Sequence, residues 1–325
     1  MLMQINVLCP DGALGKLESC LPAGSRQIND IEISVNGNKN RYDGIVVVQS
    51  TTAYDRKELS CKEGNALLIV REPQDILRMP PRYVNQFDHV LTPNAKVRGK
   101  NIIYSQFGQL WTINKSYSSL EAMAVPEKTK VLSTVTSLKA DTRGHQYRLA
   151  LCRRIQKEFN DCFDWYGRGV HELDDKWEAI APYRYHLVFE NSRWDHYWTE
   201  KLTDAYLGFS MPIYIGCPNI TDYFPENSLS LLSHKSVDLA ISQLRKVLEA
   251  DAYMKSLESI IVARNKVIHE YSFFQVLIGI VNQYFENTNR YKPINLCWFE
   301  NTAYRYRLKT FIKRTVKQLI RKRQS

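Results

Sequence analysis

The first part of the chain contains short apolar runs that are separated by turn residues. These runs are Ile5 to Leu8, Gly44 to Val48, Leu67 to Val70, and Val90 to Leu91. Such runs are typical of strands in a sheet that is covered on both faces. The pattern breaks in the short polar stretch from Ala124 to Thr129. We therefore predict an α/β domain over residues 1–125, with a domain boundary directly after it.

After this boundary, strand-like and helix-like patterns alternate. Apolar runs predict strands at Val131 to Thr136, Tyr185 to Phe189, and Ile213 to Gly216. Apolar residues spaced three or four apart predict two helices between them, marked by Leu149, Cys152, Ile155 and Phe159 and by Leu202, Ala205, Tyr206 and Phe209. We expect Pro212 to end the second helix. This order predicts a second α/β domain over residues 130–300, extended by helices from Val237 to about Gln283.

The composition fits a globular protein with a sizeable core. The chain has 325 residues, of which 44% are apolar and 24% charged, and this excludes a disordered, collagen-like or coiled-coil chain. The longest apolar stretch, Phe273 to Val281, is far shorter than the roughly 20 residues of a membrane-spanning helix. The first twenty residues lack a secretory pattern, and seven cysteines without a CxxC pair indicate neither a disulfide framework nor a zinc site. We therefore expect a cytoplasmic protein.

The positive charge of the chain is concentrated at its C-terminal end. The formal net charge is +10, yet nine Lys or Arg residues and no acid fall between Arg305 and Arg323, which leaves residues 1–304 at about +1. Apolar residues at helical spacing within residues 304–325 predict a basic amphipathic tail. Such a helix can lie on an anionic membrane surface through residues 305–323, and we expect this surface to be the inner face of the cytoplasmic membrane. A solvated tail and a tail that docks on a partner subunit are the alternatives, and we expect no nucleic-acid partner.

Two predicted helices start with cations. Thr199 is a candidate N-cap, followed by Glu200 and Lys201, and the loop that ends at Gly144 leads into a helix whose first turn should include Arg148. Helix N-termini favour anions, and helices that follow strands of an open parallel sheet converge on one crevice. Their expected ligand is a pyrophosphate. The alternative is that Lys201 is simply a solvated surface residue and that Glu200 compensates the helix dipole.

Several known phosphate-binding and metal-binding patterns are missing from the sequence. There is no Gly-x-Gly-x-x-Gly and no P-loop, which makes dinucleotide oxidoreductases and P-loop NTPases poor candidates. There is also no Asp-x-Asp pair to hold a divalent ion against a nucleotide diphosphate, and no two histidines pair at helical spacing. We therefore expect no metal and no required cofactor, so that cations and helix dipoles would stabilise a departing diphosphate.

Glu72 is the candidate for proton transfer. It follows the predicted strand Leu67 to Val70 and precedes Pro73, so it stands where a strand ends and a loop begins. A carboxylate there can point into a cleft between domains, where partial desolvation would raise its pKa toward the range of a general base. A solvated Glu at a strand end is the alternative.

Three spaced segments of the second domain resemble the signature of glycosyltransferase family 10, the α1,3-fucosyltransferases. They are Tyr183 to Ser192, Tyr197 to Leu202, and Met211 to Gly216. The likeness to a bacterial branch of the family extends across most of residues 65–270. It includes blocks around Arg71-Glu72-Pro73, Pro80 to Tyr83, Gln86 to Asp88, Trp111, Gly144 to Arg148, Tyr166 to Gly169, and Cys217 to Pro225. The chain departs from the pattern at Trp194 to His196, at Arg143, and at the bulky Gly208 to Met211. The resemblance does not include residues 1 to about 40.

The resemblance implies a GT-B fold, in which two Rossmann-like α/β domains face a cleft. It implies an inverting fucosyltransferase that moves L-fucose from GDP-fucose to a glycan acceptor in α1,3 linkage. That acceptor would be an oligosaccharide or lipid-linked glycan, such as a GlcNAc-containing surface polysaccharide or O-antigen precursor. The implied roles place Glu72 as base, Arg148 and Lys201 on the diphosphate, Glu200 on the ribose, and Asn191 and Tyr197 along the donor pocket.

Two other functions remain open from the sequence. The first is a transferase of the same fold that uses a different nucleotide sugar, because a phosphate site is generic while the sugar pocket is undetermined. The second is a non-catalytic protein whose basic tail binds membrane or nucleic acid. The joint presence of Glu72, Arg148, Asn191, Glu200 and Lys201 argues against the second.

Overall fold

The computed structural model describes residues 2–10, 13–48, 59–71, 79 and 81–296. The chain divides into two compact units. The first comprises the described parts of residues 1–14, 26–107 and 280–325, and the second comprises residues 15–25 and 108–279. In the described ranges, no helix is both long enough and apolar enough to cross a membrane. The predicted tail of residues 304–325 and the candidate base Glu72 both lie outside the described residues.

The first unit is built on a sheet of seven strands in the order β2-β3-β1-β5-β7-β8-β9. Strand β2 pairs antiparallel with β3, and the other neighbours pair in parallel. Every residue of β5, β7 and β8 is buried, as expected for a sheet that is covered on both faces. The elements of this unit are β1 (Met3–Leu8), β2 (Gln27–Ile28), β3 (Ile31–Val35), β4 (Arg41–Tyr42), β5 (Gly44–Val48), β6 (Leu59–Lys62), β7 (Ala66–Ile69), α2 (Pro81–Val84), β8 (His89–Thr92) and β9 (Ile102–Tyr104). Helix α1 (Leu14–Ser19), which comes between β1 and β2 in the chain, belongs to the second unit from residue 15 onward.

The second unit contains a parallel sheet of five strands in the order β11-β10-β12-β13-β14. Its central strand β12 has six buried residues out of seven, and β13 is buried throughout. The elements are α3 (Tyr117–Glu121), β10 (Lys130–Val135), α4 (Arg143–Glu158), β11 (Phe163–Tyr166), β12 (Tyr183–Phe189), α5 (Glu200–Leu207), β13 (Met211–Ile215), β14 (Ser230–Leu231), α6 (Val237–Ala250) and α7 (Tyr253–His269).

The strand order creates a crevice between β10 and β12. Strand β10 is followed by α4 and then by β11 on one side of it, whereas β12 is followed by α5 and then by β13 on the other side. The chain therefore leaves these two neighbouring strands in opposite directions. Ligands of open α/β sheets bind at such a switch point, outside the carboxyl ends of the strands.

The last described part of the chain returns to the first unit. Helix α8 (Phe273–Tyr284) leads to β15 (Tyr291–Ile294), which pairs antiparallel with β6, and β4 completes this small sheet. Within the first unit, Asn65 donates to the carbonyl of Glu286 at 3.0 Å and accepts from its backbone N–H at 2.6 Å. The units thus differ from the predicted domains of 1–125 and 130–300, because pairing between strands distant in sequence decides where these segments pack.

The predicted strands and helices of both halves are found near their expected positions. Two details differ from the expectation. Helix α5 ends at Leu207 with Gly208 as its C-cap, and Pro212 lies inside β13 instead of ending the helix. Helix α4 begins at Arg143 after the N-cap Thr142, so Arg148 lies in its second turn and not in its first.

Candidate active site

A small cavity opens in the second unit at the carboxyl ends of β10 and β12. Its volume is about 30 Å³. Side chains from several elements of the second unit meet there. Among the described residues, its lining consists of Val135, Thr136, Arg148, Lys176, Ile180, His186, Leu187, Val188, Phe189, Lys201 and Asp204.

Arg148 reaches this cavity from helix α4. The side chain is 8% exposed, and its Nη2 group donates to the carbonyls of Ser137 and Lys139 at 3.4 Å each. The buried Nε has no hydrogen-bond partner in the part of the chain that the structure describes. Burial lowers the pKa of Arg148 below its ordinary value, although a guanidinium remains charged at neutral pH. A buried guanidinium with an unused donor is suited to bind an anion.

Lys201 reaches the same cavity from the first turn of helix α5. Thr199 is the N-cap of this helix, as predicted, and its hydroxyl accepts from the Lys201 ammonium at 3.0 Å. Glu200 accepts from the same ammonium at 2.9 Å, and Glu190 lies 3.8 Å away. Burial opposes the charge of Lys201, but the carboxylates of Glu200 and Glu190 raise its pKa above the ordinary value. Lys201 is therefore a permanent cation.

Glu190 fixes the start of helix α5 from the end of β12. Its side chain is fully buried, and its two oxygens accept from the backbone N–H and the hydroxyl of Thr199, both at 2.8 Å. Burial raises the pKa of Glu190, an effect that the nearby Lys201 partly offsets. Glu190 thus orients the residue that caps the helix and lies beside the cation that follows it.

A second buried carboxylate, Asp204, lies one turn further along α5. Its Oδ1 accepts from the backbone N–H of Thr112 at 2.9 Å, and its Oδ2 accepts from the Thr112 hydroxyl at 2.5 Å. The ammonium of Lys176 lies 2.6 Å from the same hydroxyl and 3.4 Å from Oδ2. Burial raises the pKa of Asp204, against the influence of Lys176. This network holds Lys176 in the lining of the cavity, where it is the third cation after Arg148 and Lys201.

His186 adds a neutral ring to the lining. Burial lowers its pKa to about 3, so it carries no charge near neutral pH. The hydroxyl of Ser133 donates its single proton to the carbonyl of Ala179 and lies 2.8 Å from Nδ1 of His186. From this pattern we assign the proton of the ring to Nδ1, which leaves Nε2 as an acceptor.

The predicted site residues are brought together in part. Arg148 and Lys201 line one cavity, and Glu200 contacts Lys201 directly. Asn191 is exposed in the loop between β12 and α5, and Tyr197 in the same loop is buried, with its ring against Trp194. Neither of these two residues belongs to the described lining of the cavity.

Lys176, Asp204 and the positioning role of Glu190 were not predicted from the sequence. Glu190 could have been found, because an acid directly after a buried strand stood within the quoted signature. Asp204 occupies a buried position on a helix whose apolar stripe was noted, but its partner Thr112 is 92 residues away. Lys176 stands in a polar stretch that no periodicity distinguishes.

Cations outnumber carboxylates in the lining of the cavity, which favours an anion as ligand. Three cations and one carboxylate line it and His186 is neutral, while Glu190 and Glu200 beside Lys201 offset part of the positive charge. The positive ends of two helices, α4 and α5, lie at the same switch point. No group of three or more His, Cys, Asp or Glu that could hold a metal ion occurs among the described residues.

Comparison with known proteins places this site within a matched domain. The model of "Glycosyltransferase family 10 (fucosyltransferase) C-term" matches residues 125–274, a range that contains the whole described lining of the cavity. The α1,3-fucosyltransferase FucT of Helicobacter pylori is 33% identical over 76 residues, which is 23% of this chain and 16% of that protein. The human GDP-fucose protein O-fucosyltransferase 3 is 32% identical over 88 residues, or 27% of this chain and 17% of that protein.

The chain thus matches less than a fifth of the length of these two relatives. A crystal structure of an α1,3-fucosyltransferase is similar over 83% of this chain and 91% of that one, with a TM-score of 0.50 and 18% identity. At this identity the likeness shows the fold alone. Together with the two α/β units, it confirms the GT-B fold that the resemblance implied. Residues 125–274 thus match the C-terminal domain model of glycosyltransferase family 10, a family of fucosyltransferases.

Proposed function

We propose that this protein is a glycosyltransferase that transfers L-fucose from GDP-fucose to a hydroxyl group of a glycan, with inversion at the anomeric carbon. The observation that carries the proposal is the convergence of Arg148 and Lys201 on one cavity at the switch point of a family 10 domain. Relatives whose names specify GDP-fucose support the choice of donor. A cation pair at two helix starts supports binding of its diphosphate.

In the proposed donor complex, Arg148 and Lys201 bind the diphosphate. Glu200 would bond the ribose, and Asn191 and Tyr197 would border the nucleotide on the loop between β12 and α5. The cations act most strongly in the transition state, because negative charge develops on the diphosphate as it leaves. We propose that the reaction proceeds without a divalent metal ion, since these fixed cations occupy the position where such an ion would otherwise neutralise the leaving group.

The proposed chemistry is a single displacement. Glu72 takes the proton of the acceptor hydroxyl, and the hydroxyl oxygen forms a bond to the anomeric carbon of fucose. The bond from that carbon to the diphosphate breaks on the opposite side, and GDP leaves with the electron pair. The products are an α-linked fucoside, GDP and a protonated Glu72, which returns its proton to solvent.

Two acceptor classes follow from the relatives. The name of the Helicobacter pylori protein favours an α1,3 linkage to a glycan, and we propose this class, as a free oligosaccharide or a lipid-linked precursor. The names of the protein O-fucosyltransferases favour a hydroxyl of a protein instead, and this is the second candidate. The two differ only in the acceptor, because both require the same donor site.

The test is a transfer assay with two donors and two acceptors. GDP-fucose and UDP-galactose are each incubated with N-acetyllactosamine and with a folded protein domain that exposes serine and threonine hydroxyls, and products are identified by mass spectrometry and NMR. The proposal predicts transfer from GDP-fucose to N-acetyllactosamine, with an α-fucoside as the first product. Transfer only to the protein domain would establish the second candidate. Transfer only from UDP-galactose would refute the choice of donor.

A further inference from the structure

Lys176 lines the cavity of the donor site although it belongs to neither of the two helices that start there. It is the first residue of a 3₁₀ helix, Lys176–Ala179, between β11 and β12. The preceding Asp175 caps this helix by accepting from the backbone N–H of Trp177 at 3.0 Å, and it also accepts from the backbone N–H of Asn114 at 3.3 Å. The backbone that carries Lys176 is therefore fixed from two directions.

The contacts of Lys176 leave part of its binding capacity for a ligand. Its ammonium has three N–H donors. One is directed to the hydroxyl of Thr112 at 2.6 Å, and a second approaches Oδ2 of Asp204 at 3.4 Å, which is long for a charge-assisted hydrogen bond. Asp204 already accepts from both the N–H and the hydroxyl of Thr112. Within the described contacts, Lys176 can thus direct one N–H toward a group in the cavity.

We propose that Lys176 is a third diphosphate-binding cation of the donor site and that Asp204 and Thr112 are its positioning residues. This inference rests on the proposed function, which it deepens by assigning a further ligand-binding side chain. Asp204 holds Thr112, and the Thr112 hydroxyl, having given its proton to Asp204, presents a lone pair to Lys176. The ammonium is thereby held at the cavity.

The competing interpretation is that Lys176 only neutralises the buried Asp204. The two interpretations differ in which ligands depend on Lys176. If Lys176 binds phosphate, its replacement should weaken the binding of ligands that carry phosphate groups and hardly change the binding of guanosine. If Lys176 is purely structural, its replacement should change the affinities for guanosine and GDP equally, or change neither. A series of ligands that share the base but differ in phosphate content therefore separates them.

The experiment measures dissociation constants of GDP, guanosine and inorganic pyrophosphate for the full chain. GDP and pyrophosphate are titrated by calorimetry, and guanosine is titrated by NMR. Four variants are compared with the wild type: Lys176→Gln, Lys176→Arg, Thr112→Val, and Lys255→Gln as a matched control, because Lys255 is exposed on α7 away from the cavity lining. Circular dichroism melting checks that each variant is folded.

We expect Lys176→Gln to weaken the binding of GDP and of pyrophosphate about tenfold, and the binding of guanosine less than about twofold. Lys176→Arg keeps the charge and should bind GDP at least about threefold more tightly than Lys176→Gln does. Thr112→Val should weaken the binding of GDP by about threefold, because the Lys176 ammonium loses a positioning contact. Lys255→Gln should leave all three affinities unchanged.

Two results would overturn the assignment of Lys176. One is a GDP affinity of Lys176→Gln within about twofold of the wild type, and the other is an equal loss for guanosine and GDP. If the wild type binds pyrophosphate through Lys176 but does not bind GDP, the assignment of Lys176 stands and the GDP-fucose donor is refuted. If the wild type binds neither ligand, both proposals are refuted.

Discussion

Replacement of Gly167 by alanine tests the backbone geometry that shapes the donor site. Gly167 follows β11 with a φ of +131°, a conformation that side chains disfavour. A Cβ atom there would lie 2.5 Å from the carbonyl oxygen and 2.7 Å from the carbonyl carbon of Thr136. These are backbone atoms, and the same oxygen accepts from the indole N–H of Trp165 at 2.9 Å. The clash therefore cannot be relieved by rotating a side chain.

The expected cost combines three effects. Overpacking against fixed atoms costs about 1–3 kcal/mol, the strained backbone adds about 1 kcal/mol, and the weakened indole hydrogen bond adds up to about 1 kcal/mol. We therefore expect Gly167→Ala to lower the free energy of unfolding by about 2–5 kcal/mol. The displaced segment continues into the carbonyls of Ser137 and Lys139, which hold Arg148, so the affinity for GDP should fall as well.

The assay is urea unfolding followed by tryptophan fluorescence, with Gly144→Ala as the control. Gly144 lies in the first turn of α4, and a Cβ there would meet only the Thr142 hydroxyl at 3.9 Å. Alanine has the higher helix propensity, so this variant should be unchanged or more stable by up to about 1 kcal/mol. If the stability of Gly167→Ala lies within about 0.5 kcal/mol of the wild type, the backbone of Thr136 does not restrict this position.

Three further predictions concern charge. Lys201→Ala should lower kcat at saturating GDP-fucose by about two orders of magnitude, because one cation on the leaving group is worth roughly 3 kcal/mol in the transition state; near-normal turnover would contradict this. Burial lowers the pKa of Lys128 to about 7, so the unfolded chain binds more protons up to its ordinary pKa of about 10.5. The free energy of unfolding of the wild type, relative to that of Lys128→Met, should therefore rise by roughly 2 kcal/mol between about pH 7 and about pH 9, as measured by urea unfolding. A difference between the two proteins that stays constant with pH would contradict this prediction. Transfer activity should survive dialysis against EDTA, whereas a loss that Mn²⁺ restores would show that the reaction needs a divalent ion.

Features that depend on local sequence were predicted well. The apolar runs of β5, β10 and β12 and the helical spacing of α4 and α5 come from residues that are close together in the chain. The capping of α5 by Thr199 and the convergence of Arg148 and Lys201 followed from strand and helix order alone, because parallel strands align their carboxyl ends at one edge.

Features that depend on distant pairs were not predictable in the same way. The bond between Thr112 and Asp204 joins residues 92 positions apart, and the pairing of β15 with β6 joins residues more than 220 positions apart. Periodicity along the sequence carries no information about such distant pairs. The role of Lys176 and the packing of residues 280–296 in the first unit could therefore be recognised only in the structure. Pro212 was misinterpreted because a proline is also tolerated near the start of a strand.

In the proposed donor complex, Arg148 and Lys201 together bind the diphosphate of a guanine nucleotide. A crystal structure of the full chain with GDP tests it most directly. We predict that the Arg148 guanidinium and the Lys201 ammonium both lie within hydrogen-bond distance, about 3 Å, of diphosphate oxygens at the carboxyl ends of β10 and β12. A diphosphate bound elsewhere, or in contact with neither side chain, would contradict the account.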